Sequence, residues 1–288
     1  MRAVFGSLGD IQTRWHQAGD SGPPVLLIHG AGVSGASWLK VIDPLAQNFR
    51  VVAPDTLGHG FTMPGAHRPG PPHPAMIEHL ARLVDHLGWQ RFHVVGSSFG
   101  ALLGALLYFH MPDRVERLVV VSSGSFANSD EELAGSLQEA LANGLAAMDD
   151  PTYENCRRRM ERICHDKASV APEMIVMQMT EYALPWAREA FERRVRGMMD
   201  IEACKPYRVL HRLESIEVPT LMLWGRNDTR GLYASAQRAV LRIPDAQLIA
   251  FDHCKHHPHL EHPQAFSEVV TRFLQGHGMD VYGDVLPT

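Results

Sequence analysis

The 288-residue chain has only four cysteines, Cys156, Cys164, Cys204 and Cys254. Their wide, irregular spacing fits neither a disulfide framework nor a zinc site, so reduced, buried thiols are expected. No run approaches the roughly 18 apolar residues of a membrane span, and the start Met1-Arg2-Ala3-Val4-Phe5-Gly6 contains no apolar h-region. The expectation is a soluble, cytoplasmic protein with no membrane partner. Positive charge is also short: 27 Lys and Arg against 32 Asp and Glu leave a formal net charge of −5. That balance offers no basic footprint for nucleic acid. Repeats and low-complexity tracts are absent. What the chain does have is 45% apolar residues, ample for a large core, and 17 histidines. Its length suits one large domain, or a core carrying an insertion. Most histidines stand singly, so a solvated or hydrogen-bonded ring is the default reading of each.

Hydrophobic patterning gives the order of elements. An antiparallel pair is expected to turn at Gly9-Asp10 and return along Ile11 to Gln17. The continuous apolar run Pro24 to Ile28 reads as a strand covered on both faces. Helical spacing follows over Trp38 to Phe49, then a strand over Arg50 to Pro54. After a Gly/Pro-rich connection from Gly58 to Pro74, Ala75 to Leu87 reads as a helix stopped by Gly88. Phe92 to Val95 and Arg117 to Val121 are further strands. This alternation predicts a parallel sheet wrapped by helices on both faces. From about Gly124 to Arg212 strand-like runs vanish and helical stretches dominate, as in Asn155 to Ile163 and Ala187 to Met199. The α/β rhythm resumes at Thr220 to Trp224 and Gln247 to Phe251 and closes with a helix over Gln264 to Leu274. The expected organisation is an α/β core, residues 1–124 and 213–288, interrupted by a helical cap, residues 125–212.

The chemistry concentrates at Gly96-Ser97-Ser98-Phe99-Gly100, a G-x-S-x-G sequence set between a strand and a helix. Such a turn lifts the central serine clear of the sheet, and its glycines let strand and helix approach closely. A serine hydroxyl is nearly unreactive at neutral pH and needs a general base, itself oriented by an acid. In an open α/β sheet both partners belong after later strands, beyond their carboxyl ends. Asp228 is the only carboxylate in Gly225-Arg226-Asn227-Asp228, just past one such strand. The segment after Phe251 offers five candidate bases: His253, His256, His257, His259 and His262.

Cys254 to Pro263 resembles the G-H-x-P-x-x-E-x-P stretch of α/β-hydrolases, whose register selects His256 and leaves His257 as its competitor. His253 and His262 suit surface or capping roles. The order Ser98, Asp228, His256 matches that superfamily, and the whole chain resembles it, most closely over Pro24–Thr62, His93–Ser123 and Leu213–Leu274. The resemblance implies an α/β-hydrolase fold: a mostly parallel sheet flanked by helices, with a helical cap inserted before the acid-bearing strand. It also implies an oxyanion hole from the backbone N–H groups of Ala31 and Phe99, with no cofactor and no metal. His29 and the His59 of Asp55-Thr56-Leu57-Gly58-His59-Gly60 read as structural.

Within the superfamily the chain most resembles meta-cleavage-product hydrolases and related esterases. That implies aromatic catabolism, a small carbonyl substrate and a homodimer. Asp166 to Gln178 resembles the cap of that group. Three positions depart from it: Ser97 replaces Asn, His257 replaces Trp, and Gln178 stands where a cap arginine contacts the substrate carboxylate. The remaining cap arginines, Arg157, Arg158, Arg159, Arg162, Arg188, Arg193, Arg194 and Arg196, lie among glutamates and read as a solvated helix face. Apolar cap residues such as Met174, Met177, Leu184 and Trp186 are expected to shape the pocket. Ester and C–C bond hydrolysis use the same catalytic residues and stay open. A cofactor-free perhydrolase of the haloperoxidase type and a non-catalytic small-molecule receptor are the alternatives. Epoxide hydrolases and dehalogenases need Asp where this chain has Ser98.

Overall fold

In the computed structural model, residues 1–66, 68–279 and 285–286 are described. Strands β1 (Arg2–Leu8) and β2 (Ile11–Ala18) form the expected hairpin, and β2 continues antiparallel to β4 (Arg50–Pro54). Strands β3 (Pro24–Ile28), β5 (Phe92–Ser97), β6 (Val115–Val121), β7 (Thr220–Gly225) and β8 (Ala246–Phe251) run parallel with β4. The two-residue β9 (Val285–Leu286) lies parallel beside β8. The sheet order is β1-β2-β4-β3-β5-β6-β7-β8-β9. Of the aperiodic tail Gly276–Thr288, residues 280–284 and 287–288 lie outside the described residues.

Strands β3, β5 and β7 are buried along their whole length because both faces of the sheet are covered there. Leu26, Ile28, Val94, Val120, Met222 and Trp224 join one core cluster; their neighbours Val25, Leu27, Val95, Val121, Leu221 and Leu223 join the other. The period of two sends alternate residues to opposite layers. Helices α1 (Leu39–Leu45), α2 (His73–His86) and α3 (Phe99–His110) fill the first crossovers. The first is shorter than its spacing predicts, because the chain leaves the helix at Ala46, two residues after Pro44. The second starts two residues early, at His73, and ends with Gly88 at φ +68°, the left-handed position that glycine occupies without strain.

Between β6 and β7 the described chain is helical: α4 (Gly124–Ala127), α5 (Asp130–Met148), α6 (Tyr153–Arg162), α7 (Pro172–Tyr182), α8 (Ala187–Met199) and α9 (Ile201–Cys204). The sequence reading singled out α8 with these bounds but not the 19-residue α5. That helix opens with a capping box in which Ser129 and Glu132 each bond the other's backbone N–H. Helices α10 (Tyr233–Val240), α11 (Pro258–Glu261) and α12 (Pro263–Leu274) complete the fold. No helix among the described residues is long and apolar enough to cross a membrane, and all four cysteines are free and buried.

Candidate active site

Strand β5 ends where α3 begins, and Ser98 occupies the turn between them with φ 54° and ψ −123°. A non-glycine residue at positive φ is strained, and it is held there by its surroundings. The Ser98 N–H donates to the Val121 carbonyl at 2.9 Å, and the Ser98 carbonyl accepts from Ser123 Oγ at 2.5 Å. A Cβ on Gly96 would strike Gly100 and Ala101, and one on Gly100 would strike the Ile28 and His29 carbonyls. Both glycines are therefore steric requirements of the turn. A Cβ on Gly30 would lie 3.6 Å from Ser98 Oγ, which places the loop after β3 against that hydroxyl.

That loop is pinned from several sides. His29 Nδ1 donates to the Gly30 carbonyl at 2.8 Å, while its Nε2 accepts from the Thr56 N–H at 3.0 Å. The Gly30 carbonyl shares a rigid peptide plane with the Ala31 N–H, so His29 sets where that N–H points. The Ala31 carbonyl accepts from His59 Nε2 at 2.9 Å and from Arg194 Nη2 at 3.1 Å. Neither the Ala31 nor the Phe99 N–H bonds another group among the described residues. Phe99 is also the first residue of α3, where the helix dipole favours negative charge.

Asp228 follows β7 and accepts with both oxygens: Oδ1 from the Arg230 N–H at 2.8 Å, Oδ2 from His256 Nδ1 at 2.8 Å. His256 follows β8, and its backbone N–H donates to the Ile163 carbonyl at 3.1 Å. Ser98 and His256 line one cavity of about 640 Å³. Among the described residues no hydrogen bond joins Ser98 Oγ to the ring's Nε2; the ring's side-chain bond is the one to Asp228. Of the five histidines in this segment, His256 alone is bonded to a carboxylate. His257 also lines the cavity, yet neither of its nitrogens has a protein partner. Burial and the neighbouring His256, His259, Arg230 and Arg159 hold it well below the usual histidine range, hence neutral. His253 is exposed; His262 precedes α12 but makes no side-chain cap bond and stacks on Phe251 instead. The Glu261 of the same stretch accepts from the N–H groups of Lys255, His165 and Asp166, tying the His256 loop to the segment after α6.

The cavity corrects two expectations. Met174, Met177, Leu184 and Trp186 do not line it; its apolar wall comes from Leu133 and Leu137 of α5 and Phe191 and Met198 of α8. Helix α7 is turned towards β2 instead, where its Glu181 meets Arg14 at 2.7 Å and Ser34 Oγ at 2.7 Å. Gln178 is buried on that helix, away from the cavity. Nor do the cap arginines all form a solvated face. Arg157, Arg188, Arg193 and Arg196 do pair with glutamates along their helices. Arg159 and Arg194 are buried, and Arg159 lines the cavity together with Arg230. A signal for both was present: Cys156, Met160 and Ile163 recur at helical spacing, and Arg159 falls on the same face, as Arg194 does between Phe191 and Met198. Among the described residues no cluster of ligands suits a metal ion.

The family model described as "Alpha/beta hydrolase family" matches residues 25–269. A 2-hydroxy-6-oxo-2,4-heptadienoate hydrolase of Pseudomonas putida is 31% identical over 278 residues, covering 92% of this chain and 94% of its own. A 2-hydroxymuconate semialdehyde hydrolase of Pseudomonas putida is 30% identical over 277 residues, covering 91% and 90%. The solved meta-cleavage product hydrolase of Pseudomonas fluorescens IP01 superimposes with a TM-score of 0.76 at 26% identity, over 96% of this chain and 97% of that one. Given the family match across the sheet and the helices between β6 and β7, and these hydrolase relatives, the chain belongs to the alpha/beta hydrolase family as one of its enzymes.

Proposed function

We propose that this protein is a cofactor-independent serine hydrolase that cleaves a carbon–carbon bond in a 2-hydroxy-6-oxo-dienoate, with Ser98 as nucleophile, His256 as base and Asp228 as its orienting acid. The observation that carries the reading is the 2.8 Å bond from His256 Nδ1 to Asp228 Oδ2 at the edge of the cavity that Ser98 lines. With Nδ1–H donated to the carboxylate, Nε2 is the nitrogen left to take a proton. The substrate class rests on the relatives, whose names specify such dienoates.

His256 first moves a proton on the dienol to give the ketone. It then takes the Ser98 proton as Oγ attacks the substrate's separate 6-oxo carbon, the new 2-keto group serving as electron sink for the C5–C6 bond that breaks. The Ala31 and Phe99 N–H groups hold the resulting oxyanion, a contribution worth about 10²–10³ in rate per donor in other enzymes. Collapse breaks the bond to the adjacent carbon, whose electron pair takes the proton carried by His256. Water, deprotonated by His256, then releases the acid from Ser98. The helices of residues 125–212 act in this scheme as a cap domain over the core, supplying the cavity's apolar wall through Leu133, Leu137, Phe191 and Met198.

The deciding experiment compares kcat/KM for a 2-hydroxy-6-oxo-dienoate and a short-chain p-nitrophenyl ester in wild type and Ser98→Ala. A preference for the dienoate, lost about 10³-fold or more in the variant, is expected. A preference for the ester would instead make this a capped esterase. Substrate turnover that survives in Ser98→Ala would overturn the nucleophile.

A further inference from the structure

Two cations face the cavity, the buried Arg159 and the partly buried Arg230, and no Asp or Glu is among its described lining residues. Arg159, on α6, is only 5% exposed, and its Nε and Nη1 have no hydrogen-bond partner. Its guanidinium lies over the Tyr182 ring, 5.4 Å from the centroid, and against Gly32, the glycine that ends the loop after β3. The space there exists because residue 32 lacks a side chain: a Cβ would overlap Nη2 of Arg159. Arg230, two residues beyond Asp228, also lines the cavity; its Nε and Nη2 make no hydrogen bond, and Nη2 lies 3.9 Å from Glu139 Oε1. Among the described lining residues there is no Asp or Glu. Burying a cation without a counter-charge is costly; Arg159 makes no ion pair with a carboxylate among the described residues, an arrangement that a bound anion relieves. The outer side of Arg159 borders a second groove carrying Arg158, Arg162, His165, Lys167 and Lys255, a local basic path on a chain whose net charge is −5. Such a path raises the local concentration of anions.

We propose that Arg159 and Arg230 form the anion-reading subsite of this cavity, binding a carboxylate of the substrate and setting the enzyme's preference for anionic over neutral substrates. The proposal rests on the hydrolase reading of the same cavity. The planar guanidinium of Arg159 keeps N–H donors on both Nε and Nη1 free, each able to give a charge-assisted hydrogen bond to a bound anion. Arg230 supplies the second positive charge from the loop that carries Asp228. The anionic end of the substrate therefore lies between α6 and the β7 loop, while its reacting carbonyl lies over Ser98.

The test is the ratio of kcat/KM for a p-nitrophenyl hemisuccinate, which carries a carboxylate, to that for p-nitrophenyl butyrate. Arg159→Gln is expected to lower this ratio about 30-fold or more, the effect of losing a buried charge-assisted pair of hydrogen bonds. Gly32→Ala, which keeps the charge but pushes the guanidinium aside, should lower it in the same direction. A ratio within about threefold of wild type in both variants would overturn the proposal. If wild type turned over neither ester, as a strict carbon–carbon bond hydrolase would, the ratio could not be formed and the hydrolase reading would be judged by the dienoate assay. The subsite would then be decided by calorimetric titration of benzoate into Ser98→Ala with and without Arg159→Gln: a loss of binding supports it, unchanged binding overturns it.

Discussion

At the scale of single residues, two adjacent histidines of the cavity differ in their partners. His256 and His257 are adjacent and both buried on the cavity, yet only His256 reaches Asp228. An imidazole kept neutral by burial, with no acid to stabilise its charged form, is a poor proton acceptor. His256→Ala is therefore expected to lower kcat by about 10³-fold or more and His257→Ala by less than about tenfold. Equal losses in steady-state assays would mean that the base has been misassigned. The resemblance of Cys254–Pro263 to a family stretch selects His256, and the structure shows that histidine bonded to Asp228. Arg159 was missed for the opposite reason: surrounding Arg and Glu residues made α6 look like a solvated ion-pair helix. Its neighbours Arg157 and Glu161 do form such a pair, 2.6 Å apart. What distinguishes Arg159 is the helical face it shares with Cys156 and Met160, which charge patterning alone does not weigh.

At the scale of elements, strand bounds were legible because a strand buried on both faces is a continuous apolar run ended by polar or glycine residues. Pro24–Ile28 and Arg50–Pro54 follow that rule residue for residue. The helices after Gly124 were legible as helices, but their orientation was not. Helix α7 illustrates why: its packing is decided by an ion pair 167 residues apart in sequence, Arg14 to Glu181. Arg14 also holds Asp55 at 2.7 Å, so three buried charged groups bind α7 to β2 and to the loop after β4. Burial raises the Glu181 carboxyl above the ordinary range, as does the nearby Asp55 charge, while Arg14 and Ser34 pull it back. Glu181→Ala removes one acceptor from the buried guanidinium and leaves Asp55 as its remaining counter-charge. A stability loss of about 3 kcal/mol is expected in urea titration. A loss below about 0.5 kcal/mol would show that this ion pair does not secure α7.

At the scale of the whole molecule, the unusual feature is how many histidines are inside. The sequence holds 17 of them, for which solvated or hydrogen-bonded rings are the default reading; nine are buried among the described residues. Desolvation is the main reason that His29, His79 and His93 are lowered to about 4, and His73 and His259 to about 3. His59 and His257 lie well below the usual range, and His16 is lowered too, again chiefly by burial. Above pH 6.5 these eight rings are neutral in both the folded and the unfolded chain, and the stability they permit is fully present. As pH falls below 6.5 the unfolded chain takes up protons that the folded chain refuses, so stability is lost progressively as pH falls towards the lowered folded values. Each ring contributes up to about 1.4 kcal/mol per pH unit over that window. Glu181 acts with the opposite sign, because its raised folded value favours the protonated, folded form as pH falls. The histidines outnumber it. Stability from urea unfolding should change little between pH 7 and 8 and fall steeply below about 6, with a slope near pH 5.5 equivalent to several protons taken up on unfolding. A slope of one proton or fewer would mean that these rings are protonated in the folded state, and that the interior is more open to water than its packing indicates.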